Sequence, residues 1–164
     1  MTLLDRALVR RVREALEAAG ADAEVLELVA TARTARDAAN SLGIALGAIV
    51  KSLVFTIANQ PVMALVAGDR QCEQKALPAA LGLVGKVRRA DADLVREVTG
   101  FSIGGVAPIG LAQPLPLAID ASLGRFEKVY AAAGHPHCVF GSTLIELARM
   151  TGGEIIDGIA AAPR

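Results

Sequence analysis

Aromatic side chains are almost missing from this chain: it has four phenylalanines, one tyrosine and no tryptophan in 164 residues. That scarcity argues against a platform on which nucleic-acid bases stack. It leaves Ala, Val, Leu and Ile to build the core of a sequence that is 53% hydrophobic. Cysteine is equally sparse. Cys72 and Cys138 stand far apart in unlike contexts, which points away from a disulfide framework and toward a reducing compartment. No excess of charge is present either, with 17 Lys plus Arg against 17 Asp plus Glu. The balance excludes the strong basic field of a general nucleic-acid binder and confines any such contact to a small local patch. Long hydrophobic runs are missing too: Ile44 to Val50 stops at Lys51, far short of the ~20 residues that span a bilayer. The charged, helix-patterned residues Met1 to Arg13 do not read as a signal peptide. Cytoplasmic residence with no membrane partner is the expectation. The length suits one domain, residues 1–164, able to bury roughly 70% of the surface of its unfolded chain.

What is present is a mixture of helical and strand patterns without regular alternation. Leu4, Leu8, Val12, Ala15, Leu16 and Ala19 recur at helical spacing, with Thr2 three residues before Asp5 as a cap and Gly20 as a stop. Val25 to Ala30 reads as a strand, and Thr34-Ala35-Arg36-Asp37 opens a second helix ending near Leu42-Gly43. Ala48 to Ala58, the turn Asn59-Gln60-Pro61 and Val62 to Ala67 predict a central hairpin. Cys72 to Leu81 has helical composition interrupted by Pro78. Lys86 to Arg89 predicts a strand and Asp91 to Thr99 a helix. Leu115 to Asp120, Lys128 to Ala132, His137 to Phe140 and Ile155 to Ile159 complete the strands, with a helix from Thr143 to Met150 before the last of them. The pattern predicts an α+β fold: a mixed, strongly curved sheet with helices around it.

Two features point to chemistry. The first is Gly100-Phe101-Ser102-Ile103-Gly104-Gly105-Val106-Ala107-Pro108-Ile109-Gly110. Its glycine pair permits positive φ and close approach to main-chain N–H groups, and Pro108 biases Ala107 toward an extended conformation. It is either a stiff ligand-facing loop or a tight helix-to-strand connection. The second is Lys51, which interrupts the otherwise apolar Ile49-Val50-Lys51-Ser52-Leu53-Val54-Phe55. Either its stem snorkels while its head stays in water, or it projects into a cleft to hold a phosphate or polarise a carbonyl. Together the two supply one positive charge and several fixed donors, a set that suits a substrate bearing a phosphodiester and an ester carbonyl.

Other residues divide between structural and functional readings. Ser52 alternates to the opposite face from Lys51 and reads as a core hydroxyl. In His135-Pro136-His137-Cys138 an extended backbone puts both histidines on one face and the thiol on the other. The three therefore do not close on one metal, and no further ligands lie near. The segment is a strand-entry turn with a surface histidine, or one histidine lines a pocket. Arg70, Lys75, Lys86, Arg88 and Arg89 form either a basic corner for nucleic-acid phosphates or a solvated face. Asp120 before Ala121-Ser122 reads as a turn-forming carboxylate or a pocket residue.

The segment Ala48 to Phe55, the loop Gly100 to Gly110 and the spacing between them resemble the YbaK/EbsC family, freestanding relatives of the editing domain inserted in bacterial prolyl-tRNA synthetases. The resemblance runs from about Ala30 to Ile159. It implies the family's barrel-like α+β fold and trans-editing, the hydrolysis of the ester that joins a wrongly attached small amino acid (Ala, Ser, Thr or Cys) to a tRNA. Lys51 corresponds to the family's lysine, and Gly104 to Pro108 to its Gly-x-x-x-Pro loop. Lys51, Gly104 and Gly105 are thereby expected to be catalytic. Ser102, Ile103, Val106, Ala107, Pro108 and His137 are expected to bind substrate. No metal or cofactor is expected. The expected partner is the acceptor end of an aminoacyl-tRNA, with a synthetase as a further possibility. With no Ser-His-Asp set in view, the nucleophile is expected to be a water. The competing reading is a module that binds aminoacyl-tRNA or docks on a synthetase without hydrolysis. The editing reading requires Lys51 Nζ and the N–H groups of Gly104 and Gly105 to meet at one open cleft.

Overall fold

The computed structural model describes residues 2–29 and 34–163. In chain order the helices are α1 (Ala7–Ala18), α2 (Ala35–Leu42), α3 (Leu77–Leu81), α4 (Ala92–Thr99) and α5 (Leu144–Thr151). The strands are β1 (Val25–Glu27), β2 (Ile49–Ile57), β3 (Gln60–Ala67), β4 (Gln71–Cys72), β5 (Val87–Arg89), β6 (Leu117–Asp120), β7 (Val129–His135), β8 (Cys138–Ser142), β9 (Glu154–Ile156) and β10 (Ala160–Ala161). Seven strands follow the order β1-β8-β7-β2-β3-β6-β9, β5 also pairs with β2, and β4 and β10 form a separate ribbon. The β2–β7, β3–β6 and β6–β9 pairs are parallel and the others antiparallel. This is the expected mixed sheet, strongly curled into a half-barrel, with five helices around it.

Strand β3 lies at the centre because both of its faces are apolar. Val62 to Ala67 are all fully buried, the continuous hydrophobic run of a strand covered on two sides. One face joins Met63, Leu65 and Ala67 to Val50 and Val54 of β2, to α1 and to Phe101 and Val106 of the glycine loop. The other joins Val62, Ala64 and Val66 to Phe55, Ile57 and Leu77 of α3. A third cluster seats α2, through Ala38 and Ala39, on Ile49 and Val139. Burying Val9, Val12 and Leu16, the inner stripe of α1, contributes about 1.5–3 kcal/mol each as an upper estimate.

Several boundaries differ from the sequence expectation. The hairpin turns on Ala58 and Asn59, both at positive φ, as a two-residue turn between twisted strands requires. Pro61 therefore falls inside β3 opposite Thr56. The helix expected over Cys72 to Leu81 starts as strand β4, passes through a 3-10 turn at Gln74–Ala76 and becomes α-helical only at Leu77, with Pro78 in the first turn where its missing N–H costs nothing. The strand expected at Val25 to Ala30 is Val25–Glu27, and Ala30 lies outside the described residues. The last expected strand, Ile155 to Ile159, is cut short: β9 ends at Ile156, the chain turns at Asp157 and Gly158, and β10 begins beyond the expected segment at Ala160.

Candidate active site

A gap in the sheet creates the site. Strand β7 pairs with β2 only at Ile49 and Val50. Strand β5 pairs along the same edge from Phe55 to Ile57, and Ala90 N–H donates to the Val54 carbonyl at 3.1 Å. Between these two neighbours, Lys51 to Leu53 have, among the described residues, no strand along this edge. The cause lies in β7, whose register shifts between Ala132 and His135. A bulge of this kind bends a strand and ends its pairing. Gly134 sits there at φ +92°, and its N–H donates to the Gly105 carbonyl at 3.0 Å. The bulge thus carries β7 away from β2 and ties it to the glycine loop instead.

The gap opens into a cavity of about 210 Å³. Consecutive residues Lys51, Ser52, Leu53 and Val54 line it, as a strand seen edge-on would. Ile103, Gly104 and Val106 of the loop, Arg89 and Ala90 after β5, and Pro136 contribute further walls. Thr34, Ala35 and Ala38 of α2 and its cap, with Tyr130, Ala132 and Val139, close the remaining side. The wall is largely apolar, with two cations and, among the described residues, no carboxylate.

Lys51 is half-buried, and its Nζ donates to the main-chain carbonyl of Arg70. It shares the odd-numbered face of β2 with Ile49, which is covered by α2, and with Phe55, which is covered by α3. The ammonium therefore occupies the interval between two apolar clusters. Burial, followed by the like charge of Arg89, pushes its pKa below the ordinary lysine value, while Asp69, Cys72 and Asp120 pull it upward. Cys72 is no competing nucleophile: burial and Glu73 push its thiol up to about 11, against a pull from Lys51, so it stays protonated at neutral pH. Ser52 faces the other way, with Val50 and Val54. Its Oγ is buried without a hydrogen-bond partner among the described residues.

The glycine pair divides its work. Gly104, at φ +98°, lines the cavity. Gly105 does not: its N–H donates to the Ser102 carbonyl at 2.9 Å and its carbonyl holds Gly134. A Cβ on Gly105 would lie 3.0 Å from Cα and N of His135, so this glycine allows the loop to press against the β7–β8 turn. The expectation that both N–H groups meet Lys51 therefore narrows to Gly104. Of the remaining expected positions, Ile103 and Val106 line the cavity, with Ile103 exposed at its mouth. Ser102 is exposed outside it, and Ala107 and Pro108 are buried behind the loop. His137 does not line it either; Pro136 does. The two histidines instead pack edge to face, with ring centroids 5.4 Å apart, and His137 N–H donates to His135 Nδ1 at 3.1 Å. Burial and the neighbouring His137 lower the His135 pKa.

The expected basic corner resolves into separate parts. Arg89 reaches the cavity, Arg70 offers its carbonyl to Lys51, and Lys75, Lys86 and Arg88 are exposed elsewhere. Asp120 is the turn residue expected and something more. It is buried, accepts from Ser122 N–H at 2.8 Å and Ser122 Oγ at 2.7 Å, and also accepts from Ala67 N–H at 3.0 Å, anchoring the end of β3. Sequence reasoning did not place α2, Tyr130 or Pro136 at the site. Only the capping box at Thr34 hinted that α2 begins nearby, and Thr34 does accept from Asp37 N–H at 3.1 Å.

Comparison with known proteins gives a coherent result. The family model of the aminoacyl-tRNA editing domain matches residues 29–150. A crystal structure of a proposed trans-editing enzyme for prolyl-tRNA synthetase superposes with a TM-score of 0.86 at 40% identity, covering 93% of this chain and 96% of that one. The uncharacterized protein YwhH of Bacillus subtilis is 33% identical over 78% of this chain and 81% of its own length. EbsC of Enterococcus faecalis, named as a candidate Cys-tRNA(Pro)/Cys-tRNA(Cys) deacylase, is 32% identical over 62% of each chain. The proline–tRNA ligase of a Thermoanaerobacter strain is 32% identical over 62% of this chain, which spans only 18% of that enzyme.

Proposed function

Because the chain belongs to the aminoacyl-tRNA editing domain family, we propose that it is a deacylase that hydrolyses the ester of a tRNA carrying a small, wrongly attached amino acid. The observation that carries the reading is the cavity at the sheet gap, where Lys51, Arg89 and Gly104 border a largely apolar space. Its volume of about 210 Å³ is below the roughly 300–1,000 Å³ of sites that enclose drug-sized ligands. It suits a small amino acyl group with the terminal adenosine left at the mouth, against Ile103. Two cations and, among the described residues, no carboxylate suit the phosphate that accompanies such an ester.

The chemistry needs no side-chain nucleophile. Water adds to the ester carbonyl, the bond to the ribose oxygen breaks, and that oxygen leaves as a hydroxyl with the proton the water gives up. The negative charge that develops on the carbonyl oxygen is stabilised by fixed donors, for which Gly104 N–H and the Lys51 ammonium are the candidates. One such donor is worth about 3–4 kcal/mol in comparable sites. A cavity walled by Val, Leu, Ile and Ala excludes large side chains and separates near-isosteres poorly, so Ala, Ser, Thr and Cys all remain in the substrate set. The partner is the acceptor end of a charged tRNA, with a synthetase as a second partner that could deliver it.

The test is a panel of tRNAs mischarged with each of these four amino acids. The wild type is expected to release at least one of them, and Lys51→Ala to slow that release by ~100-fold or more, the size of one transition-state donor. The fold should survive, because an ammonium pushed below its ordinary pKa by burial costs stability rather than supplying it. Retention of every ester by the wild type would leave a non-catalytic binding module as the reading.

A further inference from the structure

The antiparallel register of β2 and β3 decides which main-chain groups face the gap. Gly68 N–H donates to the Ile49 carbonyl at 2.7 Å, and the pairing runs on as Val50 with Ala67, Lys51 with Val66 and Ser52 with Leu65. In such a ladder the residues that exchange bonds with the partner alternate with residues whose N–H and C=O point the other way. The odd-numbered residues of β2 are therefore satisfied by β3, and the even-numbered ones address the opposite edge. On that edge Val50 is met by β7, and Val54 and Thr56 by Ala90 and β5. Ser52 lies midway. Neither β7 nor β5 pairs with β2 at this residue, so the register directs its N–H and C=O at the open edge, and its hydroxyl is unpaired among the described residues. About 13 Å of strand edge separates Val50 from Val54, with the cavity alongside.

A donor and an acceptor on one residue of an open strand edge are the complement of another amino acid main chain. We propose that the Ser52 edge holds the aminoacyl group as a one-residue strand: Ser52 N–H donates to the acyl carbonyl oxygen, and the Ser52 carbonyl accepts from the α-ammonium. The proposal rests on the deacylase reading and adds to it the part of the ligand that the β2 edge recognises, its α-amino acid main chain. The pairing explains why the gap presents the outward-facing main-chain groups of one residue. It also leaves selection among side chains to the apolar walls, since every α-amino acid presents the same two groups.

The experiment compares binding of two stable analogues, the 3′-alanylamide and the 3′-propionylamide of 3′-amino-3′-deoxyadenosine, by calorimetry. They differ only in the α-ammonium. The wild type is expected to bind the alanyl compound at least ~10-fold more tightly, and equal binding, or none of either, overturns the proposal without any variant. Ser52→Pro deletes the N–H at a position whose amide makes no ladder bond, where proline is tolerated as on an edge strand. Its alanyl affinity should fall at least ~10-fold further than that of Ser52→Ala, which keeps both main-chain groups. An equal loss in the two variants assigns the contact to the hydroxyl and overturns the proposal. Deacylation of mischarged tRNA by the wild type, measured in parallel, tests the parent reading separately: hydrolysis without an alanyl preference rejects the edge alone, and an alanyl preference without hydrolysis rejects the deacylase alone.

Discussion

Lys51 is a charged residue at odds with its surroundings. It sits on a β face whose other positions are apolar, and the structure gives it a carbonyl to bond and two distant carboxylates, Asp69 and Asp120, to lessen its cost. Its ammonium should lose its proton below the ordinary lysine value of ~10.4, because burial and Arg89 disfavour the charge. If the charged form supports deacylation, the enzymatic rate, after subtraction of uncatalysed ester hydrolysis, should fall as pH rises through that lowered value. Lys51→Arg remains charged throughout this range and should abolish the alkaline fall even if its plateau is lower. A profile of identical shape in the two proteins would remove the titrating ammonium from the reaction.

At the scale of elements, the site exists because β7 fails to follow β2. The failure is built at Gly134, whose φ of +92° is open to glycine and whose Cα faces the main chain of α1. A Cβ there would lie 2.6 Å from the Leu8 carbonyl oxygen and 2.8 Å from its carbon. Gly134→Ala must therefore push α1 away or flatten the bulge. The expected cost is roughly 2–5 kcal/mol, from backbone strain plus overpacking, read as a lower urea midpoint. A loss under about 1 kcal/mol would mean that the bulge is not held by α1. The same contact links distant parts of the chain, since α1 sets β7, β7 sets the Gly105 bond, and that bond positions Gly104 at the cavity.

For the whole molecule, most of the stabilisation comes from three apolar clusters that do not titrate in the acid range. Acid sensitivity should therefore come from a few polar contacts. His135 has a lowered pKa in the folded state, so the unfolded chain takes up the proton first, and stability present above the ordinary histidine value of ~6.5 is lost as pH falls through the lowered one. The structural reason is direct: a proton on Nδ1 replaces the acceptor for His137 N–H with a donor. Asp69, lowered chiefly by its hydrogen bonds to Arg125, adds a second loss in the carboxylate range. That loss is small, within about 1 kcal/mol, because the pair is exposed to solvent. Denaturant midpoints should thus decline on mild acidification, and His135→Gln should flatten the first stage while leaving the second. A midpoint unchanged down to the carboxylate range would contradict the histidine assignment.

Local order alone makes much of this protein legible in its sequence. The helical spacing of α1, though not its start at Ala7 after a separate 3-10 turn at Leu3–Asp5, the cap at Thr34, the apolar hairpin with Lys51 inside it and the glycine loop Gly100 to Gly110 are readable, because each depends on neighbours within a few residues. Tertiary structure decided the rest. Which strand lies along the second edge of β2 depends on residues some eighty positions away, and the bulge that opens the gap depends on how closely α1 approaches Gly134. For the same reason only folding could separate Gly104 from Gly105, and Pro136 from His137, at the cavity wall. Each of these pairs is adjacent in the chain, and the direction of a main-chain amide is set by the partner it finds.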